Sequence, residues 1–219
     1  MTLIAKKSGE GFEPIPQGTY QAVCYGAVDL GVQLSTGIYA GKKAHQILVF
    51  WEIPELLIQM EKNGKQVSLP RVLSKRYTLS LNEKATLFND LQSWRGRAFT
   101  EKELEGFDVF NVIGANCIIT VTHSEKGKHK AASVAALMKN MRKLMPINPI
   151  LKYSMAVNGF EIPESIYDWV KKIIMESEDY QAVERARKTL GVDQPAPEEV
   201  SEEWGDPTDA VNSEEQLPF

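Results

Sequence analysis

The sequence predicts a mainly β domain with added helices, in which a five-stranded, partly open barrel precedes an acidic tail. Runs rich in β-branched and aromatic residues recur between residues 19 and 138, and one amphipathic helical pattern interrupts them. Two further helical patterns follow before the composition becomes acidic and polar. We therefore expect an irregular lead-in at 1–18, a barrel domain at 19–145, a helical segment at 146–190 and a disordered tail at 191–219.

The first strand is predicted at 19–33, where β-branched and aromatic residues dominate. Gly26 and Gly31 interrupt this run, and glycine inside a strand often marks a bulge or a bend, as the corners of a small barrel require. Cys24 lies in the same run and Cys117 in a later apolar run. We expect both cysteines to be buried, inert thiols.

A glycine-containing loop at 35–43 leads to a second strand at 45–53, which Pro54 is expected to end. Apolar runs on both sides of an Asn-Gly pair predict a hairpin near 56–69, since Asn-Gly suits a tight two-residue turn. We interpret this hairpin as an insertion between the second and third strands.

The third strand is predicted at 71–81, and its end overlaps the start of a helix. Ser80 and Glu83 have the spacing of a capping box, in which each side chain bonds the other residue's backbone N–H. Gly96 is expected to end this helix. Its apolar residues recur at helical spacing: Leu87, Phe88, Leu91 and Trp94.

Two more strands are predicted at 115–123 and 131–138, joined by a charged connection. The second is rich in alanine, so a helix is the alternative there. The order of three strands, a helix and two strands is typical of the OB-fold, a five-stranded barrel that many single-strand binders use. Helices beginning at Pro163 and near Tyr180 would pack on the barrel or on a partner chain.

Charge is segregated along the chain. The whole sequence has a net charge of −4, but nine Asp and Glu and no Lys, Arg or His lie from Asp193 onward, which leaves a net charge of +5 in residues 1–192. Residues 62–152 contain 16 Lys and Arg against seven Asp and Glu. A basic centre suggests a polyanionic partner, with nucleic acid as the first candidate. A solvated basic face is the alternative.

Binding of single strands without sequence preference requires cations for the phosphates and flat side chains for the bases. Four segments combine the two: the first loop, the third strand, the end of the first helix and the charged connection before the last strand. Within the third strand, Lys75 and Tyr77 should share one face and Arg76 the other. The candidate DNA-binding residues are Tyr39, Lys42, Lys43, Phe50, Trp51, Lys75, Arg76, Tyr77, Trp94, Arg95, Arg97, Lys126, Lys128 and Lys130.

Alternation along the second strand separates its two aromatic residues. Trp51 occupies alternate positions with Ile47 and Val49 along the strand and so should share their face, which predicts a core position. Phe50 should then face outward, where it is the better stacking platform. Trp94 and Trp169 lie on apolar helical stripes and are predicted to pack. Arg95 and Arg97 have an alternative role as cations at a helix C-terminus.

The terminal Glu-Glu-Gln-Leu-Pro-Phe resembles the acidic, Pro-Phe-ending tail of bacterial and phage single-stranded DNA-binding proteins. The segments Gly18–Val23 and Asp29–Gln33, with the order of elements, make the body similar to the phage type from Gly18 to about Lys152. The resemblance implies an OB-fold that holds single-stranded DNA during replication, recombination or repair. It also implies that the tail recruits replication or repair proteins, through Glu214, Glu215, Leu217, Pro218 and Phe219. A solvated tail without a partner is the alternative.

Patterns of catalytic and metal sites are missing from the sequence. His45, His123 and His129 are isolated, and no phosphate-cradling loop, nuclease-type carboxylate cluster or zinc spacing occurs. We expect no catalysis, cofactor or metal. The first ten residues lack an apolar core and no run approaches the ~20 residues of a membrane span, so a cytoplasmic protein is expected, in the host cell if phage-encoded.

Two other functions are compatible with the same basic composition and the same predicted barrel. One is a single-strand annealing or recombination-mediating protein, which would usually form rings. The other is a protein–protein adaptor that binds no DNA, in which basic residues would scatter over the surface. A homo-oligomer through the C-terminal helices is compatible with all three functions.

Overall fold

The structure is a computed structural model that describes residues 14–34, 41–62, 64–125 and 127–190. This part of the chain is mainly β, as predicted. Its strands are β1 (Gly18–Leu34), β2 (Lys43–Lys62), β3 (Lys65–Thr78), β4 (Asn116–His123), β5 (His129–Ala136) and β6 (Leu151–Tyr153). Its helices are α1 (Thr86–Arg95), α2 (Glu101–Glu105), α3 (Met155–Asn158), α4 (Asp168–Met175) and α5 (Glu178–Leu190), with a 3-10 turn at Val109–Val112. None of these helices is long and apolar enough to cross a membrane. The predicted tail lies outside the described residues.

Strand β1 organises the sheet because it changes partner along its length. Backbone hydrogen bonds give the strand order β3-β2-β1-β4-β5, with antiparallel neighbours along an open path. The start of β1 pairs with β4 and the remainder, from Val23 onward, pairs with β2. The short strand β6, which the sequence analysis missed, adds to β1 in parallel at Gly26.

The predicted irregularities at the two β1 glycines are confirmed. The register between β1 and β2 shifts between Cys24 and Gly26 and again between Asp29 and Gly31. Gly31 has a φ of 68°, a conformation that favours glycine. At Gly26 an added Cβ would lie 2.7 Å from the Leu151 Cβ, so the absence of a side chain there lets β6 lie against β1.

The hairpin near 56–69 is present, but its interpretation as an insertion was wrong. It is the outer part of β2 and β3 themselves, which pair continuously up to Lys62 and Lys65. Pro54 does not end β2 because the register shifts between Ile53 and Leu57. The proline falls in this irregularity, where its missing N–H removes no ladder hydrogen bond.

Helix α1 begins later than predicted. Ala85 is its N-cap, and the Ser80 hydroxyl instead accepts a hydrogen bond from the Asn82 N–H at 3.2 Å in the preceding turn. Gly96 ends the helix in the left-handed conformation, with φ of 66°, as predicted. The capping box occurs one helix later, where Thr100 and Glu103 cap α2.

Two apolar clusters cover opposite faces of the β1–β2 part of the sheet. In the first core, α1 packs on alternate strand residues such as Val49, Trp51 and Ile119. Cys24 and Cys117 are buried in this core, as expected, and burial raises the pKa of Cys24 to about 12. The second core lies on the other face and joins the strands to the C-terminal segment. Its buried residues are Tyr25, Val28, Leu30, Leu48, Phe50, Leu151, Tyr153, Met155, Ile166, Val170 and Ile174.

The helices after residue 150 therefore pack on the sheet of their own chain. Polar contacts reinforce this packing, because buried hydrogen-bonding groups need partners. The Gln33 amide donates to the Ile173 carbonyl at 2.8 Å, and the Asp179 carboxylate accepts from the Val32 N–H at 2.6 Å. These bonds attach α4 and α5 to the end of β1.

A buried carboxylate holds the linker that precedes β6. Glu52 is fully buried and accepts hydrogen bonds from the Ile147 N–H at 2.5 Å, the Asn148 N–H at 2.9 Å and the Asn148 side-chain amide at 2.5 Å. Three donors compensate the loss of water around this group. The linker at 145–149 is thereby attached to β2.

Candidate nucleic-acid interface

The four aromatic residues predicted to contact DNA within the described chain are all buried. The exposed fractions are 2 % for Phe50, 0 % for Trp51, 4 % for Tyr77 and 6 % for Trp94. A ring can stack on a base only if one of its faces is accessible. In this conformation these residues therefore do not serve as stacking platforms, and their assignment as DNA contacts is corrected.

Trp51 and Trp94 belong to the first core. Their ring centroids lie 5.7 Å apart, and the Trp94 indole N–H donates to the Asn116 carbonyl at 2.9 Å. This contact joins β2, α1 and β4. The core position predicted for Trp51 from alternation is confirmed, as is the packing predicted for Trp94.

Phe50 does point to the face opposite Trp51, but that face is covered. Its ring centroid lies 5.8 Å from those of Tyr25 and Tyr167 and 6.3 Å from that of Trp169. The expectation of an exposed Phe50 was wrong because the C-terminal segment returns over β2. Nothing in the local β2 sequence signals that return.

Lys75 and Tyr77 share a face of β3, and both bind one carboxylate of α1. Asp90 accepts from the Lys75 ammonium at 2.6 Å and from the Tyr77 hydroxyl at 2.7 Å. Burial raises the pKa of Tyr77 well above its ordinary value. This pair thus attaches α1 to β3, and the Lys75 charge is compensated within the protein.

Arg95 and Arg97 converge on Glu103. Arg97 contacts both carboxylate oxygens, at 2.9 and 2.7 Å, and Arg95 also binds this group. The hydrogen bond from Arg97 is the main cause that lowers the pKa of Glu103 to about 2. The Arg95 guanidinium also lies 4.3 Å from the Phe99 ring centroid. These arginines join α1 to α2, and because Arg97 is still exposed, their contact with DNA stays a prediction.

The first predicted DNA-binding loop is described only at its end. Tyr39 lies outside the described residues, and Lys42 is exposed. Lys43 forms an ion pair with Glu178 at 2.5 Å, which connects β2 to α5. Lys43 therefore contributes to the attachment of the C-terminal segment.

Several described cations form no ion pair with another described residue, and four of them lie at residues 71–76 of β3 and at residues 128–130 near the start of β5. Arg76, Lys128 and Lys130 are exposed, Arg71 is half-buried, and no ion pair among the described residues involves any of them. Burial lowers the pKa of Arg76, which faces away from Lys75 as predicted. Lys126 lies outside the described residues.

Strands β3 and β5 bring Arg71 and His129 to the same groove, whereas Arg76 lies on the opposite face of β3 from Arg71. The side chains of Arg71 and His129 both line this groove, where burial lowers the pKa of His129 and the Arg71 charge lowers it further. His129 lies between Lys128 and Lys130 in the chain, and Arg76 follows Arg71 along β3. The sequence analysis identified three of these four cations and missed Arg71.

A groove of about 520 Å³ contains one of these cations, Arg71, in its lining. The lining includes apolar residues of the β2–β3 hairpin and of β3, among them Ile58, Met60 and Val72. His129 contributes a further polar group. The segments after β5 contribute Asn148, Tyr167 and Trp169. A concave site with an apolar lining and few polar groups is suited to ligand binding.

Trp169 is a groove residue that the sequence analysis assigned to packing. Its exposed fraction is 48 %, whereas Val170 and Ile174 of the same helix are fully buried. Ile166, Val170 and Ile174 follow one another at intervals of four residues, and all three are buried. Residues at this spacing share one face of a helix, and Trp169 does not fall on that face. That spacing was the available signal for an exposed indole.

The predicted partner-binding residues Glu214, Glu215, Leu217, Pro218 and Phe219 lie outside the described residues. Within the described residues, no three His, Cys, Asp or Glu side chains gather in an arrangement that could hold a metal ion. Comparisons with protein-family models, with curated proteins and with solved structures found no match to this chain.

Proposed function

We propose that this protein binds single-stranded DNA without sequence preference and acts by binding, without catalysis, in DNA replication, recombination or repair. The observation that carries the proposal is the groove beside β3, which is lined by the exposed rings of Tyr167 and Trp169 and by Arg71. Lys128 and Lys130 flank the lining residue His129 in the chain. Cations that track phosphates and rings that accept bases are the two requirements of such binding.

The sheet supports a proposed OB-fold barrel. β1 is long, bent at two glycines and paired with both β2 and β4, and α1 lies between β3 and β4 in the chain. β3 and β5 approach each other at the ends of the strand path, near Arg71 and His129. In an OB-fold the nucleic acid binds to the face of the second and third strands and to the loops that join strands one and two and strands four and five.

We further propose that the acidic tail recruits replication or repair proteins. Nine acidic residues precede the apolar group Leu217-Pro218-Phe219 from Asp193 onward, and no basic residue lies among them. A short apolar anchor with neighbouring carboxylates suits a groove lined by Lys or Arg on another protein. The partner would be identified by its basic, apolar groove.

A protein–protein adaptor is the second candidate, since the groove is largely apolar. Ile58, Met60, Leu69 and Val72 would suit an apolar peptide as well as bases. An annealing protein is the other alternative, and it would differ from a simple binder by forming rings in a sizing measurement.

The decisive experiment is an anisotropy titration of labelled oligo-dT at several salt concentrations. If each of the four cations contacts one phosphate, the slope of log K against log salt should be about −2.8, because each contact contributes about −0.7 on single strands. Neutralising Lys128 and Lys130 to glutamine should reduce this slope by about 1.4. The matched control neutralises the exposed Lys84 and Lys102, neither of which is adjacent in the chain to a groove-lining residue, whereas Lys128 and Lys130 flank His129. This control should leave the slope unchanged. Failure of wild-type protein to bind oligo-dT in dilute buffer would refute the proposed function.

A further inference from the structure

Exposed aromatic rings are rare in the described chain. Among its Phe, Tyr and Trp residues, Tyr167 and Trp169 alone have more than a third of their surface exposed, with 38 % and 48 %. Both line the same groove. The other described aromatic residues are buried or half-buried, mostly by ring–ring and cation–ring contacts.

The two rings are held on a rigid support. The Tyr167 hydroxyl lies 3.2 Å from the Tyr25 hydroxyl, and both exposed rings contact Phe50. Val170 anchors the start of α4, which follows Tyr167, in the second core. A ring that is already fixed loses little conformational entropy when it binds a ligand, so the contact contributes more to affinity.

The charges around these rings favour an anionic ligand. Arg71 lines the groove, and Arg76 lies two residues beyond the lining residue Ser74 on the same face of β3. Asp168 lies between the two ring residues in the chain, and the Lys171 ammonium lies 3.5 Å from its carboxylate. A polyanion with flat, partly apolar groups is complementary to this combination.

We infer that Trp169 and Tyr167 form the base-stacking platform of the single-strand site, so that the C-terminal segment completes the binding site instead of merely covering the sheet. This inference rests on the proposed function and extends it. The platform lies at the start of α4, and phosphates would follow the cations of β3 and of the β4–β5 connection.

The first test compares oligo-dT affinity among full-length variants. Trp169→Ala should weaken binding about 5- to 150-fold, the range expected for loss of one stacked base. Trp169→Phe should recover most of the affinity because it restores a ring. The matched control is Met175→Ala, which truncates a residue of the same helix with 39 % exposure that does not line the groove. Urea unfolding of each variant verifies that it is folded.

The second test uses indole fluorescence in a Trp204→Phe background, which leaves Trp51, Trp94 and Trp169 as emitters. Oligo-dT should quench the exposed indole, and the added change Trp169→Phe should remove that quenching, since the two other indoles are buried. A peptide of residues 210–219 is titrated separately as an apolar, acidic competitor.

The outcomes separate this inference from the proposed function. If wild-type protein binds oligo-dT but Trp169→Ala binds as tightly as Met175→Ala, the platform is refuted and the DNA-binding function stands. If the peptide quenches Trp169 while oligo-dT does not, the groove is a protein-binding site and the inference fails. If wild-type protein does not bind oligo-dT at all, the function itself fails.

Discussion

Truncation of Phe50 tests how the two faces of the sheet are assigned. If Phe50 were an exposed stacking platform, Phe50→Ala would weaken DNA binding and leave stability almost unchanged. The structure instead places this ring between the sheet and the C-terminal segment with 2 % exposure. We therefore expect a large loss of stability.

The magnitude follows from the contacts that the ring makes. Truncating a buried phenylalanine costs about 3–5 kcal/mol, because transfer free energy is lost and a cavity remains. The contacts with Tyr25, Tyr167 and Trp169 exclude the lower end of that range, since aromatic pairs contribute about 0.5–1.5 kcal/mol beyond their buried area. We expect a loss of about 4 kcal/mol.

Urea unfolding followed by far-UV circular dichroism measures this loss. With an m-value of about 2 kcal/mol/M, the midpoint should fall by about 2 M without a change in m. Val72→Ala is the control, because Val72 lies opposite Glu52 on the neighbouring strand with 39 % exposure and should cost about 1 kcal/mol or less. A Phe50→Ala protein with a wild-type midpoint would refute the assignment of the second core.

Three further substitutions test the attachments of the strands. Gly31→Ala should cost more than Gly114→Ala: both have positive φ, 68° and 83°, but an added Cβ meets a side-chain carbon at 2.6 Å at Gly31 and nothing within 4 Å at Gly114. Equal shifts of the urea midpoint would contradict this crowding. His45→Gln should flatten the decline of stability with rising pH by about 0.2–1 kcal/mol. The hydrogen bond to Asp29 raises the pKa of His45 above its ordinary value of 6.5. The contribution of His45 to stability is therefore complete below pH 6.5 and is lost as the pH rises through the higher pKa of the folded state. Parallel curves of the urea midpoint against pH for wild type and variant, between about pH 6 and 9, would contradict this expectation. Glu52→Gln should cost about 1–3 kcal/mol, since an amide offers one acceptor oxygen to three linker donors. An unchanged midpoint would show that the linker is held by other contacts.

Alternation along the strands predicted which side chains share a face. Trp51 lies in the core with Val49, and Lys75 and Tyr77 reach the same carboxylate. These predictions succeeded because the period of two is a local property of extended backbone. Whether the opposite face is exposed depends on distant segments, which is why Phe50 was misjudged.

Charge patterns in the sequence predicted contacts less well than the alternation of side chains along the strands did. A cluster such as Arg95 and Arg97 resembles a phosphate-binding site in sequence, yet both side chains form ion pairs with Glu103, several residues further along. Asp90 compensates Lys75 in the same way. Local sequence does not show which carboxylate the fold brings to a cation, so uncompensated cations are recognised only once the pairs are known.

The sequence by itself determined the mainly β character, the bends of β1 at its two glycines, the buried cysteines and the separation of basic body from acidic tail. Each of these depends on local conformational preference or on composition. Tertiary structure decided that the C-terminal segment covers Phe50, that most predicted aromatic contacts are buried, and that Trp169 is exposed beside Arg71. The covering of Phe50 and the proximity of Trp169 to Arg71 depend on contacts between residues more than ninety positions apart, and local patterns along the chain carry no information about such contacts.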